Sequence, residues 1–166
     1  ISKLAAHETG PISEDGVNHA QARRVAHAIN KAPANISAVY AYEDGALAAF
    51  TAAKKAGITC IYDLPIAYWE TKHQLMREEA ERLPQWAPTL GGSISDSQEK
   101  LDRKTRELEL ADAVVGPGSF VMDSLPDWAA DKHRIVSPFG SPGVPSSAVL
   151  PEKPTDRPLR VLFVGS

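Results

Sequence analysis

The sequence predicts an α/β fold built on a mostly parallel sheet. Three observations carry this. Short runs rich in β-formers alternate with amphipathic stretches of helical period. The strand runs are apolar almost throughout, as for strands covered on both faces. Gly and Pro stand at the junctions between the runs, where the chain must turn.

The first fifteen residues are mixed and polar, with Gly10-Pro11 as a breaker. A helix is expected from Val17 to Lys31, with Val25, Ala28 and Ile29 on its buried stripe, and Pro33 ends it. Ile36–Tyr42 reads as the first strand. Asp44 is placed to cap the next helix, Gly45 to Ala56, and Gly57 to close it. Ile58–Tyr62 is the second strand and runs into Asp63-Leu64-Pro65. A helix from Tyr68 to Arg82 stops before Pro84, and a loop covers Pro88 to Ser95. Ser95 and Gln98 have capping-box spacing for a helix reaching Leu110, with Leu101 and Leu108 on its apolar face. Ala113–Val115, a Gly116-Pro117-Gly118 turn, a short helix Ser119–Leu125 and the strand Arg134–Ser137 complete the unit.

Residues 1–140 therefore read as one domain. Residues 141–158 are rich in Pro and Ser, a linker composition, and Leu159–Val164 reads as the first strand of a second unit. Ile1 and Ser166 are read as cuts in a longer polypeptide.

The chain has 166 residues and a net charge of −3, which gives no sign of a nucleic-acid partner. No run of about eighteen apolar residues suggests a membrane span. The lone Cys60 cannot form an internal disulfide and sits mid-strand, so it is assigned to the core. A reduced, cytoplasmic setting fits, with a peripheral position at the inner membrane face left open. The five histidines show no metal spacing, and neither a metal nor a cofactor is expected.

Ligands of open parallel sheets bind beyond the carboxyl ends of the strands. That rule selects Tyr42, Glu43, Asp44 and Gly45, then Asp63, Leu64 and Pro65, then Gly116, Gly118 and Ser119, then Phe139 and Gly140. Asp63 is the candidate catalytic group, because a carboxylate ending a buried strand before Leu64-Pro65 has no local structural reason to be there. Trp69, just past a strand end, could stack on a sugar ring. Trp86 and Trp128 are assigned to packing helices on the sheet. A glycine turn opening a helix can receive an anion, but turn glycines without a phosphate-loop pattern are a weak signal.

The run Glu107-Leu108-Glu109-Leu110-Ala111-Asp112-Ala113-Val114-Val115, followed by Ser119-Phe120, resembles the group-1 (family 4) glycosyltransferases of GT-B fold. So do Arg134–Gly140, Tyr62–Trp69 and Pro84–Ala87, and the likeness spans Ile36 to Ser166. It implies one incomplete half of a GT-B fold: a Rossmann-like, acceptor-side domain. The parent would be a hexosyltransferase-type enzyme of glycan biosynthesis. It would move a sugar from a nucleotide diphosphate sugar to an acceptor hydroxyl with retention. The acceptor class stays open among glycan, lipid-linked and small-molecule types. Ser141-Pro142-Gly143 departs from the family pattern after Pro-Phe-Gly. The family's glycine-rich loop, pyrophosphate-neutralising Arg/Lys pair and nucleotide-sugar glutamates are not found in these residues, so this piece alone is expected to be inactive. Two alternatives remain: a non-catalytic Rossmann-like ligand-binding module, and a sugar-nucleotide epimerase of GT-B shape.

Overall fold

In the computed structural model, Gly10 and residues 13–140 apart from Ser95 are described. The expected linker and the strand Leu159–Val164 lie outside the described residues. Helix α1 spans Glu14–Lys31, β1 Ala38–Tyr42, α2 Leu47–Lys55, β2 Thr59–Asp63 and α3 Trp69–Arg82. Helix α4 follows at Gln98–Leu110, then β3 at Ala113–Gly116, α5 at Ser119–Asp123 and β4 at His133–Val136. The four strands form one sheet in the order β1-β2-β3-β4, and every pairing is parallel. The fold is α/β and Rossmann-like, as the sequence predicts.

Several boundaries differ for local reasons. Helix α1 begins at Glu14 because Ser13 is its N-cap, the Gly16 N–H donating to Ser13 Oγ at 3.0 Å. Pro33–Asn35 form one 3-10 turn, which delays β1 to Ala38. Residues Ala87–Ile94, expected as a loop, are also 3-10 helical. The cap of α4 is Ser97, not Ser95: the Lys100 N–H donates to Ser97 Oγ at 3.2 Å. At the end of α2 the expectation holds. Gly57 is left-handed at φ 70°, with Ile58 N–H donating to Ala53 O and Gly57 N–H to Lys54 O. Those two bonds make a Schellman closure, which needs a residue without a Cβ penalty.

The core gathers Phe50, Cys60, Tyr62, Leu64, Tyr68, Leu108 and Val114, all fully buried. Cys60 is thus a core residue. The rings of Phe50 and Tyr62 meet edge to face, with centroids 6.3 Å apart.

Coverage of both sheet faces is not what the structure shows. Val39, Cys60, Tyr62 and Val114 are buried, whereas Tyr40 and Tyr42 are 58% and 54% exposed and Ile135 is also open. Strand order rises steadily along the chain, and right-handed crossovers then bring successive helices to the same side. The opposite face is left short of cover among the described residues. Trp86 and Trp128 are exposed rather than packed on the sheet.

Three side chains lock the carboxyl half together. The Asp112 carboxylate accepts the Cys60 N–H at 2.8 Å and pairs with Lys54 at 2.5 Å. Lys132 Nζ donates to the carbonyls of Glu109 and Ala111. Ser124 Oγ accepts the Tyr68 N–H at 2.8 Å, tying the start of α3 to the end of α5. No helix among the described residues is long and apolar enough to cross a membrane.

Candidate functional site

A cleft of about 990 Å³ opens at the carboxyl end of β1, an edge strand among the described residues, and extends along it towards α1. Its wall includes Tyr42 and Glu43 from β1 and its turn, Ile66 before α3, and Lys72, Lys100 and Lys104 from α3 and α4.

Helix α4 builds the floor. Lys100, Arg103, Lys104 and Glu107 are spaced i, i+3, i+4, i+7, which puts them on one helix face. That face is turned inward, and all four are buried. Each charge there meets its opposite. Lys100 Nζ lies 3.3 Å from Asp96, 3.8 Å from Asp44 and 3.9 Å from Asp15. Arg103 donates to Asp15 at 2.7 Å and to Asp44 at 3.3 Å. Lys104 Nζ is 3.3 Å from Glu43 and 3.4 Å from Asp44. Buried charges persist only when paired in this way.

Glu107 has a different task. Its carboxylate accepts the backbone N–H groups of Asp44, Ala46 and Leu47 at 2.9, 2.9 and 3.0 Å. The Ala46 and Leu47 groups are among the donors that the start of α2 leaves without partners inside the helix, and the Asp44 N–H belongs to the turn before it. Asp44, expected to cap this helix, sits instead in the left-handed region at φ 69°, with its carboxylate turned to Lys100, Arg103 and Lys104. The cap comes from another helix, about sixty residues along the chain. It fixes the turn that carries Tyr42 and Glu43 into the cleft.

Burial sets the protonation of this region. Burial pushes the Glu107 carboxyl up to about 7, against the opposing pull of the three N–H groups. Burial also raises Glu43, while Lys104 draws it back. For Lys104 burial acts downward, but Glu43, Asp44 and Asp96 outweigh it and hold the ammonium above its ordinary range. Among the described residues the Tyr62 hydroxyl is buried with no hydrogen-bond partner, and Glu43 Oε1 is buried against the Lys104 ammonium alone, as an ion pair at 3.3 Å.

Of the residues the sequence selects, Tyr42, Glu43, Asp44, Gly45 and Pro65 line this cleft; the others stand elsewhere. Asp63 pairs with Tyr42 in the β-register, and its carboxylate adds to burial in pushing the Tyr40 hydroxyl up to about 12. Trp69 donates its ring N–H to Thr105 Oγ1 at 3.2 Å and packs edge to face on His73, so its N–H is already engaged. His73, expected on a solvated face, is half-buried, and burial lowers its pKa.

Gly118 and Ser119 start the five-residue α5 beyond β3, and Phe139 and Gly140 are exposed past β4. Gly116 has a packing reason. A Cβ there would lie 2.9 Å from Val121 Cγ1 and 3.0 Å from the Leu64 carbonyl oxygen. The sequence reading missed Lys100, Arg103 and Lys104. The available signal was charge placed at the spacing of a buried stripe.

Searches against protein-family models, curated proteins and solved structures found no match for this chain.

Proposed function

We propose that this chain is the acceptor-side half of a retaining, hexosyltransferase-type glycosyltransferase. Its role is to hold the hydroxyl that receives a sugar from a nucleotide diphosphate sugar. The observation that carries the reading is a pinned cleft beyond the carboxyl end of a parallel sheet, where such folds hold ligands. The motif residues support it. Glu107, which resembles the family's helix glutamate, holds the β1–α2 turn, and Asp112 of the Ala-Asp pair joins the β3 entry to β2.

In this reading the chain positions an acceptor, and orientation of two reactants supplies much of the rate of such a transfer. Charge on the departing diphosphate is neutralised by groups of a second, donor-binding domain. Residues 1–166 should therefore give no donor hydrolysis. They should bind nucleotide sugars no tighter than about 1 mM, roughly 4 kcal/mol. Calorimetry with a panel of nucleotide sugars, with assays for released nucleoside diphosphate, checks this. Turnover or micromolar donor binding by this chain would put the donor site on this side and overturn the proposal.

A further inference from the structure

We infer that the cleft takes a neutral, polyhydroxylated ring, an uncharged sugar or cyclitol, in preference to a phosphorylated one. Only its role as acceptor rests on the glycosyltransferase reading; the ligand chemistry stands on the cleft itself.

The first argument is charge. Three lysines, Lys72, Lys100 and Lys104, line the cleft, and so do four acidic residues, Glu14, Glu43, Asp44 and Asp96. Lys100 and Lys104 are more than nine-tenths buried, and each already lies within 4 Å of two or more carboxylates. A phosphate entering here meets no excess of positive charge, yet loses its hydration.

The second argument is what a ligand can reach. Asn18 and Gln21 of α1 line the cleft and have no hydrogen-bond partner among the described residues. A side-chain amide both donates and accepts, and so does a hydroxyl, so the two match without any charge. Tyr42, 54% exposed, and Ile66, 48% exposed, line the same cleft and offer apolar surface for the C–H face of a saturated ring.

The test is amide-shift mapping by NMR on the whole chain. Glucose, maltose and myo-inositol are titrated against glucose 6-phosphate and inorganic phosphate, at low and high salt. The neutral compounds should shift the amides of residues 42–45 with an affinity unchanged by salt. Glucose 6-phosphate should bind no tighter than glucose. Tyr42→Ala and Gln21→Ala alter exposed side chains, so folding is retained, and each should weaken binding by roughly fivefold or more, about 1 kcal/mol. Tenfold tighter binding of glucose 6-phosphate, weakening as salt rises, would overturn the inference. So would the failure of all three neutral compounds to shift these amides. Donor binding by this chain would instead sink the transferase reading and leave the ligand class standing.

Discussion

Glu107 is fully buried, yet it reaches three backbone N–H groups of a turn that precedes it by about sixty residues. Truncation to Ala leaves those donors without their acceptor. Glu107→Ala should cost about 3 kcal/mol, and Glu107→Gln, which keeps one acceptor oxygen, about half as much. Urea unfolding of the three proteins measures both. The pH dependence has a definite sign. The folded pKa of Glu107 is raised to about 7 from an ordinary 4.5, so the native state holds this proton more tightly than the unfolded chain. Its contribution is fully present below pH 4.5 and is lost as pH rises through 7. Wild-type stability should fall relative to Glu107→Gln between those limits. A difference that stays flat or rises with pH would contradict this. No local pattern discloses Glu107 as a cap, because its partners are distant in sequence. Asp44 has the sequence position of a cap, but three cations draw its carboxylate away.

Helix α4 shows why the element scale was harder to read than the strands. Its buried stripe contains Leu101 and Leu108 together with Lys100, Arg103, Lys104 and Glu107. Hydrophobic periodicity registers the leucines and passes over the charges, since it assigns charge to the solvent side. The ion pairs also fasten one helix to another. Asp15 on α1 holds Arg103 on α4 at 2.7 Å. Asp15→Ala strips a buried cation of its shorter partner and should cost about 3 kcal/mol. Faster amide exchange in the first turns of α1 than in α2 would show that the loss is local. Between β3 and α5 the constraint is steric. Gly116→Ala forces a Cβ against Val121 and the Leu64 carbonyl, and should lower stability by about 1–3 kcal/mol. Thermal unfolding within error of wild type would show that α5 can move aside.

At the scale of the whole molecule, the sheet has β1 and β4 at its edges and one face partly open among the described residues. Val136, on the β4 edge, is 51% exposed. Exposed apolar edges invite strand pairing between molecules. The chain should self-associate as concentration rises, and Val136→Lys should reduce this in light scattering without lowering thermal stability.

The α/β class and the parallel strands follow from composition and period alone. A five-residue β-run between Gly- and Pro-marked turns states its conformation locally, so Cys60 could be placed in the core from the sequence, whereas the burial of Tyr62 came with the structure. The positions of Tyr42 and Glu43 followed from the same logic, because a strand's end is a sequence landmark. Three-dimensional packing alone decided the rest: which face of the sheet stays open, which helix caps α2, and how Lys100, Arg103 and Lys104 share Asp15, Glu43, Asp44 and Asp96. The physical reason is range. Propensity and periodicity act over a few residues, whereas these buried charges are stable only beside partners that the fold brings from two distant segments, Asp15 of α1 and the Glu43–Asp44 turn, together with the nearby Asp96.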